Sequence, residues 1–287
     1  MLRSHLLLLS FLAIGLIGDA AELYAQDAGR GQKIYYIISE ERLMGFMDQS
    51  GKVIIPPRYR DVRDFTEDLA AVQVRRNHWG FINPAGELVI AADFKDVQDF
   101  SEGMAAVKID ENWGFIDLTG KIIVPPRYKK VRDFEEARAW VLLGNKVGYV
   151  DRSGAEVIQP IYDLTFRRSQ EDFRQGKALV RSAGRMGYID PKGQFIFPLE
   201  YDGMGPFSDG LAWTRKGLVW NYIDPTGQIA IKDIKHEVGN FSNDRAHING
   251  GKKTGFIDKT GQLVNDAKFD FAGDFHEGLA WVANGGN

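Results

Sequence analysis

The residues able to do chemistry in this 287-residue chain are few and scattered. His78, His236, His247 and His276 share no ligand spacing, and His236-Glu237 is followed by Asn240 where a zinc motif needs its second histidine. The chain has no cysteine, which excludes disulfides, thiol catalysis and thiolate metal ligation. Gly203-x-Gly205 lacks the third glycine and the strand-to-helix setting of a dinucleotide loop. No Gly-x-Ser-x-Gly elbow or Gly-Lys-Ser/Thr phosphate loop occurs. Glu135-Glu136 are neighbours whose side chains point apart, whereas acid and base in glycoside hydrolysis must converge. No catalytic residue, cofactor or metal site is expected.

Two other groups carry candidate binding chemistry. Trp140, Trp213 and Trp281 occupy one equivalent slot along the chain; on a surface they would form a stacking platform for sugars or a groove for a partner chain. Ala71 and Ala106 fill the same slot as small packed residues, which favours the core for the tryptophans. Arg167 and Arg168 sit in a local insertion, where Tyr162 to Phe173 is longer than the equivalent stretches. Insertions in repeat arrays fall on loops, often on a binding face; a tolerated elongation is the other reading.

What must position these residues is a repeat. Trp79-Gly80-Phe81-Ile82-Asn83-Pro84-Ala85-Gly86 returns as Trp113-Gly114-Phe115-Ile116-Asp117-Leu118-Thr119-Gly120, and further copies begin near 44, 147, 186, 220 and 254. One unit of this kind cannot bury its apolar face alone and must lean on its neighbours. A first strand such as Leu69 to Val74 has the two-residue period of a half-buried strand. The second, Trp113 to Ile116, is apolar or glycine on both faces and should be central. Asn221 stands where the other repeats have glycine, which predicts a local loosening.

Asp48, Asn83, Asp117, Asp151, Asp190, Asp224 and Asp258 each stand three residues before a glycine. A calcium ladder would need several ligands per copy, and each copy supplies one; the pattern is that of an Asx-capped type I turn closed by a left-handed glycine. A third strand follows, often stopped by Pro-Pro. A connector then repeats an aromatic-x-x-Val-x-x-Phe spacing, as in Tyr128/Val131/Phe134, which suits successive turns or one short 3₁₀ segment.

The ends and the composition complete the reading. Residues 1–25 are expected to be an export signal, with a 12-residue apolar run (Leu6 to Ile17) too short to span a bilayer and cleavage after Ala25. Residues 26–43 hold a lead-in strand and 44–287 the array. The last copy offers a first strand, Leu279 to Val282, that either caps the array or stands where the record is cut. A formal charge of -3 without a basic block gives no electrostatic reason to expect nucleic acid or an anionic membrane. No run suits stable membrane insertion.

The Trp-Gly-Phe-Ile-Asp-x-x-Gly core and the Phe-x-Glu-Gly-Leu-Ala approach to each first strand (Phe100-Ser101-Glu102-Gly103, Phe275-His276-Glu277-Gly278) resemble the WG-repeat, or KWG-repeat, family. That resemblance implies a bacterial all-β repeat protein of variable copy number, often an interaction module, with no catalytic residues to carry over. The expected fold is an all-β tandem array of about seven 34-residue three-stranded meanders in an open elongated stack, the alternative being a closed seven-bladed propeller. The expected function is a non-catalytic, periplasmic or secreted binding or scaffold protein whose partner is a protein or an envelope glycan. The alternatives are a carbohydrate-active enzyme with carboxylates on connector loops, and a purely structural spacer.

Overall fold

The computed structural model describes residues 35–165, 171–264 and 268–285. The expected export signal therefore lies outside the described residues. The described chain is all β, in small antiparallel sheets that follow one another along the sequence. It divides into two compact units within the fourth repeat: one ends at Gly144 and takes in Val150–Ala155, and the other comprises Asn145–Tyr149 and Glu156–Asn287.

In the first unit, Tyr35–Glu40 pairs with Leu43–Asp48, which pairs with Val53–Tyr59. The next sheet orders Asp61–Thr66, Leu69–Arg75, His78–Ile82 and Leu88–Phe94 side by side; the third does the same with Asp96–Val97, Met104–Ile109, Asn112–Asp117 and Ile122–Tyr128. In the second unit, Ala178–Ser182, Arg185–Ile189 and Phe195–Tyr201 form three strands. Gly203–Met204, Ala212–Lys216, Val219–Ile223 and Ile229–Ile234 form four. Glu237–Val238, Ala246–Asn249 and Thr254–Ile257 follow, and Phe271–Ala272 pairs with Val282–Ala283.

The complete sheets thus have four strands, one more than the sequence reading gave them, because the connector is itself a strand. Its three-residue apolar spacing is the mark of a bulge rather than of a 3₁₀ turn. Val62 faces Val72 and Phe65 faces Ala70, so two connector residues stand opposite one partner, and Val62 and Phe65 are brought to the same face. Val131 and Phe134 do the same against Val141 and Ala139.

That face carries the contact common to all repeats. The aromatic at the third position of Trp-Gly-Phe meets the connector phenylalanine at 4.8 Å for Phe81–Phe100, 5.0 Å for Phe115–Phe134 and 4.7 Å for Tyr222–Phe241, edge to face. Where tyrosine replaces phenylalanine, its buried hydroxyl donates to a connector carbonyl: Tyr149 to Glu171 at 2.5 Å, Tyr188 to Gly205 at 3.0 Å, Tyr222 to Gly239 at 2.7 Å. The glycine beside that aromatic has a backbone reason. A Cβ on Gly80 would stand 2.5 Å from the Ile90 carbonyl oxygen, and on Gly148 2.6 Å from that of Ile158. Asn221 escapes the clash by a different register: Trp220 faces Ile234, Asp233 takes φ 60°, and its N–H donates to Asn221 Oδ1 at 2.9 Å. Val219, Trp220 and Asn221 are only half-buried.

Neighbouring repeats are stitched through their turns. The hairpin from connector to first strand has two residues at positive φ, as at Glu67-Asp68 (50° and 62°) and Glu136-Ala137 (52° and 60°), the geometry of a type I′ turn. The acidic residue of one turn accepts from the backbone of the next repeat's turn: Glu67 from Gly103 N at 2.9 Å, Glu102 from Ala137 N at 2.7 Å, Asp209 from Asp244 N at 3.0 Å. The Asx turns form as the spacing requires, Asp48 Oδ1 accepting Ser50 N at 2.9 Å and Lys52 N at 3.2 Å. Those hydroxyl and backbone donors hold Asp48, Asp117, Asp224 and Asp258 below the usual carboxylate range.

Two carboxylates go the other way. Burial pushes Asp64 up, and burial with the nearby Asp64 charge pushes Asp99 up against the pull of Arg63. Asp99 Oδ1 is buried without a hydrogen-bond partner among the described residues. A folded-state pKa raised in this way costs stability while the group is charged, and the cost fades as pH falls through that value. The depressed turn carboxylates behave oppositely: their stabilisation is present above the unfolded value and is lost as pH falls through the folded one.

Three outcomes follow from this framework. Ala137→Gly relieves a left-handed alanine and should raise stability by about 1 kcal/mol in denaturant titration. Asp99→Asn should raise the melting temperature by a few degrees at about pH 7.5 and flatten the gain that the native chain shows between there and about pH 5, read by thermal melts across pH. In a double-mutant cycle, Gly205→Ala and Trp213→Ala should each destabilise, by about 1–3 and about 3–5 kcal/mol. The pair should cost at least about 1 kcal/mol less than their sum, because a Cβ at Gly205 would overlap the Trp213 indole nitrogen.

Candidate functional site

The three tryptophans expected to share a slot do share it, but they do not make an exposed platform. Trp140 is 4% and Trp213 7% accessible, while Trp281 is 63% accessible. The burial of the first two, the reading that Ala71 and Ala106 favoured, has a packing reason. The slot lies over the connector residue two before the recurring connector phenylalanine, and in the last three copies that residue is glycine under a ring. A Cβ on Gly205 would overlap Trp213, one on Gly239 would overlap His247, and one on Gly273 would overlap Trp281. Trp140 instead stacks on Arg132, whose guanidinium carbon lies 4.4 Å from the ring centre. Where the slot holds Ala71 or Ala106, the connector holds Arg63 or Gln98. Gly203-x-Gly205 is thus a bed for an indole. Arg167 and Arg168 lie outside the described residues; on the flanks of their insertion Thr165 N donates to the buried Glu171 Oε1 at 2.8 Å.

The slot residues also reach the next repeat. Trp213 Nε1 donates to Asn240 Oδ1 at 3.1 Å, and His247 Nδ1 lies 3.0 Å from Asp274 Oδ1. His247 is therefore engaged, and among the described residues no group of three or more histidine or acidic side chains is arranged to hold a metal ion.

The structure does assemble one group that spacing alone left scattered. In the second unit, a cavity of about 470 Å³ is lined by Thr165, Arg181, Met186, Asp202, Gly203, Trp213, Arg215, Trp220 and Glu237. Its members come in equivalent pairs from successive repeats: Arg181 with Arg215 on first strands, Met186 with Trp220 at the start of second strands. Trp213 forms the inner wall and Trp220, half-buried, packs against it at 5.0 Å between ring centres. The Arg215 guanidinium lies 5.7 Å from the Trp220 ring centre. Arg181 and Arg215 make no ion pair with a carboxylate among the described residues. Asp202 accepts Gly217 N at 2.6 Å and pairs with Arg185; the Gly217 amide and the neighbouring cations hold it below the usual carboxylate range. The cavity therefore offers an indole face, two forked cations and two acceptors, a set suited to holding a polar ring with an anionic substituent. The sequence signal that could have found it is the pairing of Arg181 with Arg215, one repeat apart.

A second cavity of about 470 Å³, in the first unit, is lined by Tyr35, Asp48, Gln49, Ser50, Ile54, Pro84 and Ala85, and Asp48 there is already spent on its turn.

Exposed apolar side chains also recur in register. Val53, Leu88 and Ile122 in the first unit, and Phe195, Ile229 and Leu263 in the second, all stand two residues after the turn glycine and are exposed. No helix among the described residues is long and apolar enough to cross a membrane.

Among solved structures, the chain is similar to BamB from Moraxella catarrhalis at 12% identity, covering 86% of this chain and 90% of that one with a TM-score of 0.40. It is similar to a eukaryotic initiation factor at 14% identity, covering 90% and 80% with a TM-score of 0.46. Hsv2p of Kluyveromyces lactis is similar at 11% identity, covering 72% and 76% with a TM-score of 0.36. The comparison with curated proteins gave no match. The WG containing repeat matches residues 44–76, 79–113, 113–146, 148–185, 186–220 and 255–287; the stretch it passes over, 221–254, begins at Asn221, where the glycine is missing. With six matched segments covering most of its length, the chain belongs to the WG-containing repeat family.

Proposed function

We propose that this is an exported, non-catalytic binding protein of the bacterial envelope, and that its ligand is an envelope glycan seated in the Trp213/Trp220 cavity. The observation that carries the reading is Trp220: a half-buried indole on the wall of an open cavity, with two arginines that form no salt bridge and with acceptors around it. Aromatic faces stack on sugar rings, and rim polar groups fix orientation through hydroxyls. Against a hydrolase stands the state of Asp202. A general acid needs a raised pKa, and this carboxylate is held down by a backbone amide and cations. Export rests on the leader-like residues 1–25, and recovery from the periplasm or medium of a chain beginning at Gln26 would support it.

A second reading, a protein partner, is favoured by one observation, the exposed row of Val53, Leu88 and Ile122 with its counterpart Phe195, Ile229 and Leu263. One experiment separates the two. Binding of the purified protein to envelope polysaccharide fractions and to envelope proteins is measured for the native chain, Trp220→Ala and Leu88→Ser/Ile122→Ser. Loss of glycan binding by at least about tenfold in Trp220→Ala alone is the expected result. Loss of protein capture only in the serine variant would replace the first reading with the second. Turnover of a polysaccharide by the native chain would sink both.

A further inference from the structure

We infer that the cavity selects a carboxylate-bearing sugar, a uronic acid unit of an acidic polysaccharide, with Arg181 and Arg215 as its anion clamp; this rests on the glycan reading above. The arginines stand at the same position of adjacent first strands, and both open on the cavity that holds Trp220. Neither forms a salt bridge within the protein among the described residues, although acceptors are close: Asp202 is taken by Arg185 and the Gly217 amide, and Glu200 by Lys216 at 3.3 Å. Both lie in the field of a carboxylate, Arg181 of Asp163 and Arg215 of Asp202, but without a salt bridge their guanidinium N–H donors stay open to a ligand that enters. A guanidinium presents two parallel N–H donors to a carboxylate, which a lysine cannot do.

The shape of the set narrows the ligand. Stacking of Arg215 over Trp220 fixes the cation beside the ring face, so a ligand whose flat body rests on the indole carries its anion at the ring edge. A pyranose with a carboxylate on its ring carbon meets that requirement. Glu237, exposed on the rim, is an acceptor for hydroxyl protons, which a sugar supplies and a simple carboxylate does not. A volume of about 470 Å³ suits a ligand of a few rings.

The test is calorimetric titration of the full chain with tetragalacturonate, its methyl ester and a nucleoside monophosphate. The native protein should bind the acid at least about tenfold more tightly than the ester, with affinity falling as salt rises. Arg181→Gln and Arg215→Gln should each remove most of that preference, lowering affinity for the acid by about tenfold and for the ester by much less, and Arg215→Lys should recover only part of it. Equal affinity for acid and ester, indifferent to both arginine variants but lost in Trp220→Ala, would overturn the anion clamp and leave the glycan reading standing. Tighter binding of the nucleotide than of either sugar, dependent on the arginines, would overturn the sugar assignment. No binding of any saccharide, acidic or neutral, by a chain whose melting profile is native would remove the clamp and the glycan reading together.

Discussion

Everything in this molecule leans on one contact, the meeting of the second-strand aromatic with a connector phenylalanine. Phe46 with Phe65, Phe81 with Phe100, Phe115 with Phe134, Tyr188 with Phe207, Tyr222 with Phe241 and Phe256 with Phe275 lie at ring separations between 4.7 and 5.6 Å, and Tyr149 meets Phe173 at 5.0 Å across the enlarged fourth repeat. The pair fixes each connector, and the sheet that it opens, against the sheet before it. The bulge between Val62 and Phe65, the glycine against a carbonyl and the type I′ hairpin are all conditions for bringing that phenylalanine home. In the fourth repeat, longer than the others by five residues, Thr165 N donates to Glu171 Oε1 and the ring contact is kept.

A scaffold so strictly patterned leaves little for binding. The carboxylates of the turns are occupied by their own backbone, the acidic turn residues by the next repeat, and Trp213 and His247 by the neighbour's Asn240 and Asp274. What remains free is found where successive repeats differ. Arginine at 181 and 215 replaces Gln73, Lys108 and Leu142 of earlier copies, and the glycine shared by the other second strands gives way to Asn221 beside Trp220. The cavity of the second unit sits among these departures.

Much of this was legible in the residues. The two-residue period gave the strands, the Asx-to-glycine spacing gave the turns, and the recurrence gave the array, since each is a local consequence of side-chain size and backbone preference. The fourth strand was not, because a bulge turns a strand's period from two to three over one step and imitates a tight helical turn. The fate of the tryptophans was not legible either. Whether Trp213 is covered depends on Gly205, eight residues away in sequence but opposite it across the hairpin. The cavity was the least visible feature, being a product of two adjacent sheets rather than of any one motif.

The complementarity between the slot and its glycine bed also bears on how such a chain can change over time. With glutamine in the connector, as beside Ala106, an indole arriving in the slot meets an occupied space; with glycine there first, it meets a vacancy. Duplicated copies therefore diverge along an ordered path in which loss of bulk precedes its gain across the hairpin, and the reverse order passes through a strained ancestor. Stacking on Arg132, as Trp140 does, opens a second route that needs no such precedence.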